Sequence, residues 1–369
     1  MLECFSEDGG TSVNNDTCEW IMGKPVCLLS AVNPKEPKPS CDFRTLQVFS
    51  RFRHAPPTHF RASLAESSLH WPYDIPYSTG KSRNFIISNT ARRMTFDLPL
   101  RVETLGPNPD SGVDSLVLLH GYGGSSFSWR YWAPLLAKRA HVVLVDMKGF
   151  GLAPKPDDGQ YGPEHQAELI YRLILQADLH RVTLIGHSLG GGVALDTALR
   201  LLDSEPGRLK RLILVASAAY KQRMPLFVTL AQYRRLATTA LRILGTQFVI
   251  RHVLKSIVFD SSKVSDNQVT GYAKPLSSPE AHRALIDTAL AIMPPDLKKL
   301  TGRFEELNVP TLVLWGRQDR VVPLWVGERL ADKLPDANLQ ILDNCGHMPA
   351  EELPEESWKV LQTFLEHSS

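Results

Sequence analysis

Ser188 lies in a short glycine-flanked motif whose residue types suit nucleophilic catalysis. The motif GHSLG (186–190) directly follows the apolar run RVTLIG (181–186) and precedes a stretch with a helical period. A serine on a sharp turn between a strand and a helix has a strained backbone, and the flanking glycines let the strand and the helix approach closely. Such a turn raises the hydroxyl above the sheet. The motif therefore predicts Ser188 as a nucleophile that attacks an acyl carbon.

A serine hydroxyl needs a general base, and that base needs an acid that orients it. Asp319 follows the run TLVLWG (311–316) by three residues, and His347 follows the run LQILD (339–343) by four. If these runs are parallel strands, their carboxyl ends lie at the same edge of the sheet as the turn at Ser188. The pattern therefore predicts a triad in the chain order serine, aspartate, histidine.

Two backbone N–H groups are predicted to stabilise an oxyanion beside this serine. The glycine-rich segment LLHGYGGSS (118–126) follows an apolar run, so its backbone can approach a bound carbonyl and leave the N–H of Tyr122 free. The N–H of Leu189 lies at the start of the helix after Ser188, where the helix dipole favours negative charge. We expect these two groups to form the oxyanion hole.

The elements that must position these residues are predicted from a series of short apolar runs. Segments of helical length and period, such as 163–178 and 188–202, lie between most of them. Strands that are apolar throughout and alternate with helices predict a mostly parallel sheet that is covered on both faces. Met94 opens an earlier segment with strand character, MTFDLPLRVETLG. The apolar runs are SLVLLH (115–120), HVVLVD (141–146), RVTLIG (181–186), LILVA (212–216), TLVLWG (311–316) and LQILD (339–343).

One interval between predicted strands is far longer than a crossover connection needs. About 94 residues separate LILVA from TLVLWG, and residues 220–300 are predicted to form an inserted, mostly helical subdomain. Residues 226–259 are rich in leucine, valine and isoleucine, with basic residues at helical intervals. Their apolar face is expected to pack on the core, to line an acyl pocket, or to make a weak contact with a lipid surface.

The amino-terminal quarter of the chain differs in composition from the remainder. Residues 1–93 contain eight of the 26 prolines and show no sustained helical or strand period, which predicts an extension of low order. The predicted domains are therefore this extension, a core in two parts at 94–219 and 301–369, and the insertion at 220–300 between them.

Charge and cysteine usage exclude several functions. Lysine and arginine number 41 and aspartate and glutamate 39, so we expect no nucleic-acid partner. No cysteine spacing matches a structural zinc site, and no metal site is predicted. Glu3 and Glu7 are unlike the start of a signal peptide, which favours a cytoplasmic location, with organelle targeting by the extension left open. Cys4, Cys18, Cys27 and Cys41 are interpreted as unpaired thiols.

The chain from about residue 94 to 369 resembles the α/β-hydrolase superfamily, in the branch of single-domain esterases, C–C hydrolases and epoxide hydrolases. This resemblance implies the α/β-hydrolase fold and no cofactor. It implies Ser188 as nucleophile, His347 as general base and acid, Asp319 as orienting acid, and Tyr122 and Leu189 as oxyanion donors. The motifs that carry it are LLHGYGGSSFSWR, VDMKGFGLAPKP, IGHSLGGGVALDTA, LWGRQDRVVP and CGHMPAEELPE.

Within this branch the nucleophile discriminates among reactions. Haloalkane dehalogenases and epoxide hydrolases attack with an aspartate, so Ser188 disfavours both. Relatives that transfer acyl groups have an aspartate five positions after the histidine, where this chain has Glu352. Acyl transfer to an acceptor other than water is therefore only a minor alternative.

The predicted function is a serine hydrolase that cleaves a small or hydrophobic carboxylic ester, or a thioester, through an acyl-enzyme. Its partner is a small-molecule acyl substrate, and the sequence does not predict the oligomeric state. Two alternatives remain on the same scaffold. One is a C–C bond hydrolase, and the other is a slow ligand receptor that retains the triad.

Overall fold

The computed structural model describes residues 18–21, 24–27 and 91–368. Within the first two ranges, β1 (Cys18–Ile21) and β2 (Lys24–Cys27) pair antiparallel as a hairpin, which the sequence pattern did not predict. Most of the predicted low-order extension lies outside the described residues, and so do Cys4 and Cys41. In residues 91–368, no helix is both long enough and apolar enough to cross a bilayer.

Eight strands form the central sheet, in the spatial order β10-β9-β8-β7-β5-β6-β4-β3. Neighbouring strands from β5 to β10 pair in parallel, and β3 and β4 add an antiparallel edge. The predicted mostly parallel sheet is confirmed. The strands are β3 (Arg92–Met94), β4 (Arg101–Leu105), β5 (Ser115–Leu119), β6 (His141–Asp146), β7 (Val182–His187), β8 (Leu209–Val215), β9 (Thr311–Gly316) and β10 (Ala337–Leu342).

The segment that begins at Met94 is not one strand, as its sequence suggested. It contains the end of β3 and all of β4, and residues 95–100 between them are not in a strand. Pro99 lies in this gap, and a proline has no N–H to donate to a sheet. The sheet thus begins at Arg92, two residues before the predicted start of the core.

The helices cover both faces of the sheet and fill the long interval between β8 and β9. Of the described α-helices, three precede β8, six lie between β8 and β9, and three follow β9. The helices are α1 (Ala133–Leu136), α2 (Pro163–Gln176), α3 (Leu189–Ser204), α4 (Leu226–Ala231), α5 (Arg234–Leu244), α6 (Thr246–Ile257), α7 (Asp266–Ala273), α8 (Pro279–Leu290), α9 (Leu297–Gly302), α10 (Leu324–Lys333), α11 (Pro349–Glu352) and α12 (Pro354–His367).

The two faces of the sheet bury separate apolar clusters. Along β5, Val117 and Leu119 pack in the cluster that contains residues of α2 and α3, whereas Leu116 and Leu118 pack in the one that contains residues of α1 and α12. Successive side chains of a strand point to opposite faces, so this division follows from a strand that is apolar throughout. It holds the carboxyl end of β5, where the glycine-rich loop begins, between two packed layers.

β10 departs from the prediction that every strand is buried along its whole length. Its residues alternate between partly buried and exposed at Ala337–Gln340, and none of its six residues is fully buried. The reason is its place at the edge of the sheet, where it pairs only with β9. Its carboxyl end nevertheless leads into the loop that carries His347.

Residues 226–302 between β8 and β9 form the six helices α4 to α9. This segment is called the helical insertion below. Tyr122 in the glycine-rich loop donates a hydrogen bond from its hydroxyl to the carbonyl of Leu285 in α8, at 2.9 Å. The backbone N–H of His347 donates to the carbonyl of Ile257 at the end of α6, also at 2.9 Å. The insertion is therefore bonded to two of the loops that carry predicted site residues.

Candidate active site

Ser188 lies on a strained turn between β7 and α3. Its backbone has φ 53° and ψ −118°, which an L-residue adopts only when the surrounding structure holds it there. A Cβ on Gly186 would lie 2.3 Å from the carbonyl oxygen of Gly190, and one on Gly190 would lie 2.3 Å from that of Leu119. Both glycines are therefore required by close backbone contacts, which is the reason for the glycine spacing in the motif.

Asp319 and His347 form a buried hydrogen-bonded pair. His347 Nδ1 lies 2.8 Å from Asp319 Oδ2, and the two side chains are 5% and 0% exposed. The other carboxylate oxygen of Asp319 accepts the backbone N–H groups of Val321 and Val322, at 2.7 and 3.0 Å. These bonds fix the carboxylate, and the carboxylate in turn orients the imidazole so that Nε2 is free to face a substrate site.

The structure brings the five predicted site residues to one cavity. Ser188, His347, Tyr122 and Leu189 all line it, and Asp319 lies behind His347. They come from the loops after β5, β7, β9 and β10, which end at one edge of the sheet. This arrangement provides a hydroxyl, a base and an oriented acid around a space that a substrate can enter.

Two backbone N–H groups face this cavity without a partner of their own. Among residues 91–368, neither Tyr122 N nor Leu189 N donates a hydrogen bond. The N–H of Ser188 is instead bonded to the carbonyl of Val215 at 3.0 Å, so it is not available to a ligand. A Cβ on Gly121 would lie 3.1 Å from the Cβ of Ser188, so the absence of a side chain there lets the loop approach the serine. An oxyanion formed on a carbonyl bound to Ser188 would find two donors at this point.

His120 holds the loop that carries Tyr122. Its Nε2 accepts a hydrogen bond from the backbone N–H of Met147, at 3.1 Å. The ring proton is therefore on Nδ1, which donates to the carbonyl of Gly121 at 2.7 Å. Complete burial lowers the pKa of His120, which keeps the ring neutral. Met147 directly follows β6, so this bond ties the loop after β5 to the end of the neighbouring strand.

His187, directly before Ser188, is hydrogen-bonded to the loop that carries His347. Burial and the neighbouring His347 lower the pKa of His187 to about 3, so the ring is neutral over the range in which most enzymes work. Its Nε2 lies 2.8 Å from the backbone carbonyl of His347 and donates to it. His187 is thus a positioning residue rather than a second base.

Glu352 is a supporting residue whose role the sequence did not reveal. One carboxylate oxygen accepts the N–H of Met348 at 2.9 Å, and the other accepts those of Gly346 and Phe259, at 3.0 and 2.7 Å. The carboxylate thereby bonds the residues on both sides of His347 and connects this loop to the segment after α6; we call this arrangement the clamp. In the sequence, Glu352 was considered only because it lies five positions after His347, where relatives that transfer acyl groups have an aspartate.

We expect Glu352→Gln to lower kcat about tenfold and to leave KM nearly unchanged. A glutamine has one acceptor oxygen, so its NH₂ group must face at least one of the three N–H donors. The loop then shifts His347 relative to Ser188 without altering the substrate cavity. Steady-state kinetics on a soluble ester would measure the effect, with the exposed Glu328→Gln as the matched control. An unchanged kcat in Glu352→Gln would contradict the clamp.

The cavity at Ser188 is large and mostly apolar. Its volume is about 530 Å³, and it extends from Ser188 into the helical insertion. Of the described residues that line it, none is a lysine or an arginine, and the only acidic one is Asp196. Asp196 is bonded to Arg200 at 2.9 Å, and burial raises its pKa. The space beside the serine therefore suits an uncharged, hydrophobic group.

Comparison with known proteins identifies the family. Residues 114–354 match the model of the alpha/beta hydrolase fold. An uncharacterized hydrolase of Bacillus subtilis, YugF, is 30% identical over 251 residues, which is 66% of this chain and 87% of the relative. The 2-hydroxy-6-oxononadienedioate/2-hydroxy-6-oxononatrienedioate hydrolase 1 of Dechloromonas aromatica is 28% identical over 281 residues, 73% of this chain and 92% of the relative.

The solved structures agree with this assignment. An alpha/beta hydrolase fold protein from Burkholderia ambifaria superposes with a TM-score of 0.63 at 26% identity, over 73% of this chain and 96% of that one. The family match covers the strand ends that carry Ser188, Asp319 and His347. The chain therefore belongs to the α/β-hydrolase fold family.

Proposed function

We propose that this hydrolase cleaves esters of hydrophobic carboxylic acids, or the corresponding thioesters, through an acyl-enzyme on Ser188. The observation that carries the proposal is the cavity. It joins Ser188 and two unpartnered N–H groups to an apolar space of about 530 Å³ with no lysine or arginine among its described lining residues. An acyl chain gains free energy from such a space, at about 0.8 kcal/mol per buried methylene.

The chemical steps follow from the geometry of the five site residues. His347 Nε2 accepts the proton of Ser188 Oγ as the oxygen bonds to the acyl carbon, and the N–H groups of Tyr122 and Leu189 receive the oxyanion. The carbon–oxygen bond to the alcohol then breaks, and His347 returns the proton to the departing oxygen. Water, deprotonated by the same imidazole, attacks the acyl-enzyme and releases the acid and the serine hydroxyl. Asp319 holds the orientation of the imidazole through these proton transfers.

A second candidate is C–C bond hydrolysis, which the relatives favour. The Dechloromonas relative is named for substrates that are dioates, and such substrates carry two carboxylates. Burying a carboxylate without a cation or a set of N–H donors is costly. Because the described lining of this cavity has no arginine or lysine, a dioate would lack a permanently charged cationic partner here. The cavity therefore favours the ester over the dioate.

A matched pair of p-nitrophenyl esters tests this preference. We expect kcat/KM to rise from acetate to octanoate by roughly twofold to fourfold per methylene. The suberic acid monoester has the same chain length as octanoate but ends in a carboxylate, and its kcat/KM should be lower by about a hundredfold or more. The two substrates differ only in the charge that the cavity must accept, so a comparison of their rates isolates that property.

Three other results would contradict this proposal, and two of them would assign a different function. Equal rates for octanoate and suberate would remove the charge argument. Faster turnover of a 2-hydroxy-6-oxo-dienedioate than of octanoate would establish the C–C hydrolase. Negligible turnover of every ester, together with a large thermal shift on addition of an apolar ligand, would establish the receptor.

A further inference from the structure

Large exposed apolar side chains are concentrated in one part of the helical insertion. Of the 13 exposed large hydrophobic residues in the described chain, eight lie in residues 226–259. Leu226 is 71% exposed and Ile243 is 75% exposed, so neither is accounted for by packing on the core. An apolar surface of this kind on a soluble domain generally marks a site of interaction.

Part of this surface is also the mouth of the cavity. Five of the exposed large hydrophobic residues also line the cavity, and we call them the apolar rim. They are Leu230, Leu236, Leu244, Phe248 and Met293. A hydrophobic substrate that enters the cavity over this rim can remain in contact with apolar side chains from the surface inward.

The same segment carries a strongly one-sided charge. Residues 221–259 contain seven lysines and arginines and no aspartate or glutamate, whereas residues 260–300 contain five of each sign. Arg234 and Arg251 pair with acidic residues of the later part of the insertion. Within residues 91–368 the other five form no ion pair, namely Lys221, Arg223, Arg235, Arg242 and Lys255. Unpaired basic residues therefore lie close in sequence to most residues of the apolar rim.

We propose that the apolar rim, together with the exposed Leu226 and Ile243 and the unpaired basic residues of the same segment, docks on an anionic lipid bilayer, from which the ester substrate enters the cavity. This inference rests on the proposed function, since it names the source and the lipid character of the substrate. Apolar side chains enter the boundary between headgroups and acyl chains, and lysines and arginines are attracted to anionic headgroups. Helix α5 meets both requirements, because Ile243 and Leu244 lie beside Arg242 on a short helix with little buried surface.

Charge distinguishes the bilayer from other occupants of this surface. A second copy of the chain would oppose the five unpaired basic residues with five more of the same sign, which is unfavourable. Residues 1–90 contain nine basic and nine acidic residues, so the amino-terminal segment offers no net complementary charge. An anionic bilayer supplies both the negative charge and the apolar interior.

The test is co-sedimentation of the full-length chain with vesicles of phosphatidylcholine alone or of phosphatidylcholine with phosphatidylserine. We expect binding to be at least about tenfold stronger on the anionic vesicles and to weaken as the salt is raised from about 0.1 M to about 1 M. Binding that is absent, or equal on the two kinds of vesicle, would overturn the proposal.

Two double variants separate the contributions of apolar and of basic side chains to vesicle binding. Leu226→Ser with Ile243→Ser, and Arg235→Ser with Arg242→Ser, should each weaken binding to anionic vesicles by about tenfold. None of these four residues lines the cavity. The matched controls are the exposed Leu152→Ser for the first pair, and Lys138→Ser with Lys359→Ser for the second. Equal losses in the controls would show that the surface is not specific.

Hydrolysis of soluble p-nitrophenyl butyrate separates this proposal from the proposed function. All of the variants should retain the butyrate rate, while those that lose vesicle binding should hydrolyse a vesicle-embedded ester more slowly. Butyrate turnover without vesicle binding would overturn only the docking proposal. Vesicle binding without turnover of any ester would overturn the proposed function and leave the docking surface in place. Self-association of the wild-type chain that disappears in the double variants would assign the surface to a second copy.

Discussion

Replacing Ser188 by alanine is expected to lower kcat for p-nitrophenyl octanoate by about 10⁴–10⁶-fold. The substitution removes the atom that forms the acyl-enzyme and leaves the two oxyanion donors in place. Residual hydrolysis would come from binding and from the N–H groups of Tyr122 and Leu189, through direct attack of water. KM should change little, since the apolar lining of the cavity is retained.

The fold should tolerate this substitution. The contacts that hold the turn are made by the backbone of Ser188, whose N–H donates to Val215 and whose carbonyl accepts from Gly191, Gly192 and Ala218. Alanine keeps all of these bonds and adopts the same positive φ at a similar conformational cost. The thermal unfolding temperature should therefore stay close to that of the wild type, and loss of activity can be attributed to the missing hydroxyl.

A fluorophosphonate probe measures the reactivity of the Ser188 hydroxyl without an assumption about the substrate. The wild-type protein should be labelled at Ser188 alone, as read from peptide masses, and Ser188→Ala should not be labelled. Ser204→Ala, at the other end of α3, is the matched control and should behave as the wild type. If Ser188→Ala kept more than about a tenth of the wild-type rate, Ser188 would not be the nucleophile.

The placement of the candidate site residues could be predicted because each one follows a strand that is recognisable by itself. Apolar runs specify the parallel strands, and the carboxyl ends of such strands meet at one edge of the sheet. Ser188, Asp319 and His347 need no further information to be placed near one another. The glycines at 186 and 190 were informative for a local reason, because any side chain there would overlap a neighbouring backbone.

The supporting residues could not be predicted in the same way. Glu352 acts through hydrogen bonds to Gly346, Met348 and Phe259, and Phe259 is 93 positions away in the sequence. The bond from His187 to the carbonyl of His347 spans 160 positions. Contacts of this length depend on the packing of loops against the insertion, for which composition and periodicity carry no signal.

The exposed face of the helical insertion shows a second limit of prediction from sequence. Residues 226–259 have the apolar periodicity of amphipathic helices, and this periodicity is the same whether a face packs on protein or remains open. Val228 and Leu254 are buried, whereas Leu226 and Ile243 are largely exposed. Only the tertiary structure separates the two groups, and the lipid-docking proposal depends on that separation.

Replacing Asp319 by asparagine is the second substitution with a large expected effect, a loss of about 10⁴-fold in kcat. Three donors converge on this carboxylate, namely the N–H groups of Val321 and Val322 and the Nδ1–H of His347. An asparagine has one acceptor oxygen, and the two backbone donors are fixed by the turn after β9. The oxygen is therefore expected to remain with them, and the NH₂ group is left facing His347.

The consequence is a change of tautomer at the base. When an NH₂ group faces Nδ1, that nitrogen must be unprotonated so that it can accept a hydrogen bond. The proton of the neutral ring therefore moves to Nε2. An Nε2 that carries a proton cannot accept the one from Ser188. The protein should lose about 1–3 kcal/mol of unfolding free energy, because one buried hydrogen-bonded charge is replaced by a weaker neutral partner.

Steady-state kinetics and chemical denaturation together check this expectation. Asp343→Asn is the matched control, since Asp343 is exposed and pairs only with Arg317 among the described residues, and its kcat should equal that of the wild type. The loss of fluorophosphonate labelling at Ser188 in Asp319→Asn should parallel the loss in kcat, because both reactions require transfer of the same proton. A variant that stays folded and retains kcat within about tenfold of the wild type would show that His347 takes its orientation from another group.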